Sequence, residues 1–397
     1  MLRQLVTCLA FTVGCRGTPP SQQQPDDIAR LVDSLRPVVE RATGMRFKGP
    51  TKSAMKTREE VHDYLMGRLQ EDFPPNREQG IQAVYRLLGL IPDTLELKPL
   101  LLDLYTEQVA GFYDPGTSTL YGVRGADPMQ LRLVLAHELV HAIQHQYLPL
   151  DSIMKSKGNA DQQSAAQAIF EGHATIASIQ VLAPGQNLLS NPQFWSLFRQ
   201  QVKAQQTSMK VFARTPLALQ EELVFPYLNG AEFMHWWDSA RVGQPLPTLE
   251  TLPRSTEQIM HPERYQAGDA PLPLRFADSS ADVLYEDTLG ELDLQILGAV
   301  LKGMTDVPTN PVAGWGGDRF RVYRLPADGP ALLWYLVFDD AASAGRFVAG
   351  TGGLLQAKQR VGYRTLVEQV AGAAQPTVRV VIAPASWSRW SRLPRLR

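Results

Sequence analysis

The sequence predicts an α+β protein: a mostly helical N-terminal part with a small β-hairpin or sheet, then a smaller α+β part. Three observations lead there. Apolar residues recur at helical spacing through much of 26–240, as in Ile28, Leu31, Val32 and Leu35, or Ile81, Val84, Tyr85 and Leu88. In VAGFYDPGTSTLYGV (109–123) two β-rich runs flank Asp114-Pro115-Gly116, a turn signal that predicts a hairpin. From about residue 276 the pattern changes, and strand-like runs such as GWGGDRFRVYRL and ALLWYLVFDD dominate.

In chain order, the N-terminus reads MLRQLVTCLAFTVGCRGTPPSQQQPDD. Arg3 precedes an apolar run, Leu5–Val13, that is too short for a bilayer span of about 20 residues and suits a signal peptide. Thr12-Val13-Gly14-Cys15 resembles a bacterial lipobox, with Thr12 where Leu is usual. Residues 1–15 are therefore expected to be a lipoprotein signal peptide with Cys15 lipidated, and 16–25, rich in Pro, Gln and Ser, a tether. That places the protein across the inner membrane, anchored by lipid in a bacterial envelope.

Asp26 and Asp27 cap a helix to about Arg41, and 45–56 reads as extended. Helices follow over about 58–70, 76–88 and 95–107, then the hairpin. The next helix starts at the Asp127-Pro128 cap and ends before Pro149. Further helices are expected over about 161–182, 192–206 and 217–240. The proline-rich stretch 243–275 reads as long connections. Beyond it come a helix at about 288–302, the two strand-like runs, helices or turns at 340–357 and a strand near 377–384. This divides the chain into a main domain, 26–275, and a C-terminal α+β domain or appendage, 276–397.

The chain has 397 residues and a net charge of −1, which argues against nucleic acid as a partner because many phosphates could not be neutralised. Its two cysteines both lie in the first fifteen residues, so a metal site in the folded part must use His, Asp or Glu.

Three of the seven histidines fall in LRLVLAHELVHAIQHQYLP (131–149). His137-Glu138-Leu139-Val140-His141 fits H-E-x-x-H. Residues four apart on a helix lie on one face about 6 Å apart, so both imidazoles can point at one Zn2+ ion. Glu138 sits beside them as a general base for a zinc-activated water. Two histidines and a carboxylate in so apolar a helix would be costly without a partner.

The third ligand is not on this helix. A metzincin pattern needs Gly at 144 and His at 147, where the chain has Gln144 and Tyr147. His145 lies about 12 Å along the axis from His137, too far to share a tetrahedral site. In SAAQAIFEGHATIAS (164–178), Glu171 and His173 are about 200° apart on a helix, so one of them faces the metal. Small residues flank Glu171 on its own face (Ala168, Ala174, Thr175, Ser178) and would let this helix approach the HExxH helix closely, which favours Glu171 as the third ligand. His173 shares its face with Ile169 and Ile176; it reads as a packed histidine, as a support to the ligands or as a contact to a transition-state oxyanion. The hairpin also has a functional reading, since Gly111–Tyr113 or Leu120–Val123 could pair with an extended peptide.

With its GFYDP hairpin, AHELVHAIQ and FEGHAT, the chain resembles bacterial zincin-like metallopeptidases of the gluzincin superfamily, in particular a group of secreted proteins. FPYLNGAEFM (225–234), STEQIMHPERY (255–265) and GWGGDRFRVY (314–323) extend the likeness over roughly 45–345. The resemblance implies His137, His141 and Glu171 as zinc ligands and Glu138 as base. It also makes Tyr227 a candidate for oxyanion stabilisation, beside its reading as an aromatic packed on a helix. The function expected is a lipid-anchored zinc metallopeptidase acting on peptide or protein substrates. The alternative is an inactive zinc-binding lipoprotein serving envelope assembly or protein interaction.

Overall fold

A computed structural model of the chain describes residues 25–154, 158–308, 314–325, 329–358 and 360–397. Cys15, the leader and the tether up to residue 24 lie outside the described residues. Helix accounts for 53% and strand for 15%, with the strands gathered into two small sheets, so the class is α+β.

The N-terminal helices are α1 (Pro25–Thr43), α2 (Arg58–Asp72), α3 (Pro75–Leu88) and α4 (Leu97–Gln108). Strand β1 (Lys52–Lys56) lies between α1 and α2, and the hairpin strands β2 (Gly111–Asp114) and β3 (Thr119–Val123) follow α4. Next come α5 (Pro128–His145), α6 (Leu150–Met154), α7 (Ala160–Leu182), α8 (Pro192–Ser208) and α9 (Leu217–Ala240). Short helices α10 (Thr256–Met260) and α11 (Pro262–Ala267) lead to β4 (Val283–Asp287) and α12 (Gly290–Leu301). Strands β5 (Trp315–Tyr323) and β6 (Ala331–Phe338), helices α13 (Ala341–Phe347) and α14 (Gly353–Ala357), strands β7 (Tyr363–Gln369) and β8 (Thr377–Pro384) and a 3-10 turn (Ser388–Ser391) follow.

Local chemistry sets the helix starts. Thr57 and Glu60 close a reciprocal capping box on α2. The Asp127 carboxylate accepts from Met129 N and Gln130 N, and Pro128 opens α5 where no amide is needed. The stretch 243–275 is not all connection, because Ser255 caps α10 and Pro262 opens α11.

Sheet one has the order β1-β3-β2, with β1 parallel and β2 antiparallel to β3. Sheet two runs β4-β5-β6-β8-β7, antiparallel throughout. Strands β4 and β7 escape the sequence reading for one reason: both are half-buried edge strands, and β4 is interrupted by a bulge after Val283. β6 is buried along its whole length, and its eight apolar or aromatic residues make it obvious.

Helix α5 lies between two apolar surfaces. On one side α1 and the first sheet bury Leu135, Leu139 and Ile143 with Val32, Leu35 and Leu120. On the other it meets α7, which in turn packs closely on α9. A Cβ on Gly172 would stand 2.1 Å from Gly230 C, and one on Gly230 2.1 Å from Ala168 O, so the two helices touch backbone to backbone.

The second sheet braces α7 from its N-terminus. Asp287 accepts from Ala160 N at 2.8 Å, and the Asp161 carboxylate accepts from Thr256 N at 3.0 Å. The buried Asp318 of β5 binds Leu289 N, Gly290 N and the Trp334 indole, each at 2.9 Å, fixing the start of α12. One apolar core runs through both regions, joining Leu88 and Phe233 to Leu294, Phe320 and Trp334.

Candidate metal centre

His137, Glu138 and His141 project from the buried middle of α5, and Glu171 reaches them from α7. Their exposures are 2%, 0%, 1% and 0%, so none can hold charge by hydration alone. One donor atom each from His137, Glu138 and His141 lies within 4.8 Å of the others, a group that could hold a metal ion. Glu171 converges more tightly: its Oε2 is 3.1 Å from His137 Nε2 and 3.3 Å from His141 Nε2.

Those spacings carry information. Two ligand atoms bound tetrahedrally to one zinc at 2.0–2.1 Å stand about 3.3 Å apart. Glu171 Oε1 and His141 Nε2 are buried and make no hydrogen bond among the described residues. Two nitrogens and a carboxylate oxygen converging in this way suit a divalent cation, and the residues present fit one.

The outer atoms of both imidazoles are also held. His141 Nδ1–H donates to Gln144 Oε1 at 2.9 Å, which leaves Nε2 as the nitrogen available to a metal. Gln144 is itself fully buried, and its amide donates to Phe170 O at 3.0 Å and to His173 Nδ1 at 3.1 Å. His137 Nδ1 lies 3.5 Å from Ser178 Oγ, whose hydroxyl donates to Ala174 O.

Mutual charge holds the His141–Glu171 pair in its ionised form. Burial pulls the His141 imidazole down, but the Glu171 and Glu138 carboxylates outweigh it and lift the pKa to about 9. Burial raises Glu171, yet the two imidazoles bring it to about 2. Burial lowers His137 more than Glu171 raises it.

Glu138 meets the hairpin rather than α7. Its Oε2 accepts from Tyr113 N of β2 at 2.8 Å. The central position of β3 rules out Leu120–Val123 as a strand for substrate pairing, because both its edges are taken. Among the described residues only β2 of the hairpin lacks a second strand partner, and its Tyr113 amide on that side faces α5.

The remaining candidates are placed as follows. His173 is buried against Gln144, and burial takes its pKa down to about 3, so it is a neutral imidazole linked to His141 through one amide. Tyr227, on α9, stands with its ring 6.2 Å from that of His137. His145 Nδ1 and the Tyr113 hydroxyl share a hydrogen bond of 2.9 Å that ties β2 to the end of α5. Of the small residues around Glu171, Ala174 joins the core shared with α5, whereas Ala168 receives α9. Gln144 is the residue that sequence reasoning missed. Its only signal was its place three residues after His141 on the same buried helix.

Residues 272–386 match a family model described as "Domain of unknown function (DUF8575)", a span that holds β4 to β8 and α12 and excludes the metal centre. No curated protein matches the chain. Among solved structures, one from Chloroflexus aurantiacus, described as "a putative hydrolase with a novel fold", is similar at 18% identity with a TM-score of 0.39; the likeness covers 63% of this chain and 92% of that one.

Proposed function

We propose that the protein is a zinc metallopeptidase of the gluzincin type, with His137, His141 and Glu171 as ligands and Glu138 as general base. The convergence of Glu171 Oε2 on both imidazole Nε2 atoms, at 3.1 and 3.3 Å, is the observation that carries the reading. His137, His141 and Glu171 would hold the zinc ion, which would supply a Lewis acid and make a water near it easier to deprotonate. Glu138 takes the proton of the attacking water and delivers it to the leaving amine nitrogen. The Tyr113 amide steadies the Glu138 carboxylate on its Oε2, so the base is aimed by the hairpin strand β2. In this reading Tyr227, whose ring lies 6.2 Å from that of His137, acts on the developing oxyanion. Export and a lipid anchor on Cys15 belong to the same reading; palmitate labelling of the wild type and of Cys15→Ser checks it, and equal labelling would remove the anchor.

Glu138→Gln against wild type is the central test. Both should bind one zinc, and the variant should cleave casein at least about 100-fold more slowly. The complete burial of Glu138 and Glu171 favours a second reading, a closed structural zinc site. Full zinc content with no cleavage by either protein, on casein or a peptide library, would establish that reading and sink the first.

A further inference from the structure

A cavity of about 870 Å³ opens where the N-terminal end of α7 faces the second sheet, away from the metal centre. Its size falls within the range of about 300–1,000 Å³ typical of small-molecule sites, and such sites favour seams of this kind. Four carboxylates line it, and each already accepts a hydrogen bond. Asp161 is bound by Thr256, Asp318 by two amides and the Trp334 indole, Glu286 by Arg319 and Arg321, and Glu250 by the Thr248 hydroxyl. Nor does the α7 terminus offer free amides, since Ala160 N, Asp161 N and Gln162 N donate to Asp287, Thr288 and Asn159.

The arginines differ. Arg319 is engaged with Glu286 and Gly158 O. The guanidinium groups of Arg254, Arg275 and Arg397 make no hydrogen bond or ion pair among the described residues, although all three line the cavity. Beside them lie Leu252, Phe276 and Trp315, and the buried Trp315 indole N–H also makes no hydrogen bond among the described residues. What the walls still offer is therefore cationic forks next to apolar and aromatic surface.

We propose that this cavity binds an organic anion, a carboxylate or phosphate on an apolar body, with Arg254 and Arg275 holding the anion. A planar guanidinium fork matches either oxyanion. The volume exceeds what a bare phosphate fills, so the apolar part contributes by covering the leucine and aromatic wall. The site is independent of the metal centre and of the peptidase reading.

Calorimetric titration of the full chain tests it. Phenyl phosphate and 3-phenylpropionate are compared with inorganic phosphate and the neutral 3-phenylpropionamide, on wild type and on a protein carrying Arg254→Gln and Arg275→Gln. Saturable binding of an aryl anion to wild type, weakened at least about tenfold in the amide and in the double variant, is the expected result. Absence of aryl-anion binding overturns the proposal, as does equal binding of the amide. Inorganic phosphate binding as tightly as phenyl phosphate also overturns it, since the apolar wall then contributes nothing. The comparison of acid with amide uses wild-type protein alone, so it stands even if the double variant folds poorly.

Discussion

Gln144 shows how one buried amide can set the geometry of the candidate metal centre. Its carbonyl accepts a hydrogen bond from His141 Nδ1–H, while its amide nitrogen donates to Phe170 O and His173 Nδ1. Replacing it with leucine keeps the volume but leaves His141 free to rotate. Gln144→Leu should weaken zinc binding about 10–100-fold, whereas Gln144→Glu, which retains the acceptor, should recover most of it. Competition against a chromophoric chelator reads this directly, and unchanged affinity in the leucine variant would show that the amide does not orient the ligand. His137, Glu138 and His141 were legible because the chemistry needs those residue types at a helical spacing of one turn. Gln144 was not, because a glutamine three residues on has many bland explanations until its partners on α7 are known.

Among the elements, the pairing of α7 with α9 decides where Glu171 stands. Gly172 follows Glu171 directly and meets the Gly230 backbone where any Cβ would collide at 2.1 Å. Gly172→Ala must push the helices apart, at a cost of about 1–3 kcal/mol or more, and should draw Glu171 away from the imidazoles. A lower Tm together with reduced zinc content is expected; a variant with wild-type values for both would mean that the contact relaxes freely. The sequence reading took the small residues near Glu171 as making room for α5. In the structure Ala168 and Gly172 admit α9, while Ala174 serves α5. Composition shows that a helix face is small, not which neighbour it receives.

Across the whole molecule, the regions between α7 and the second sheet hold a buried acid that should tune stability with pH. Glu257 on α10 is buried close to Glu291 of α12, with Arg264 of α11 at 3.1 Å and Asp269 and Asp339 nearby. Burial and then the Glu291 charge raise its pKa to about 9, against the pull of Arg264. The folded chain thus keeps a proton that the unfolded chain releases near 4.5. The stabilising contribution is complete below that value and is lost as the pH rises through about 9. Wild type should lose Tm from pH 5 to pH 9 more steeply than Glu257→Gln, whose side chain stays neutral. Parallel melting profiles for the two proteins would show that Glu257 is not the group responsible.

By itself the sequence determined the α+β class, the order and approximate limits of the long helices, the hairpin and the HExxH face. Each of these rests on local physics: periodicity, caps, turn residues and ligand spacing. Tertiary structure alone decided that β1 adds in parallel to the hairpin, that β2 rather than β3 keeps an open edge, and that the Glu171 carboxylate stands between the two imidazoles. It also decided that residues after 276 brace α7 and enclose a cavity with it. Those facts depend on which surfaces meet, and the strands and side chains involved are separated by tens to more than a hundred residues. At such separations no local pattern records the pairing; shape and burial select it when the chain folds.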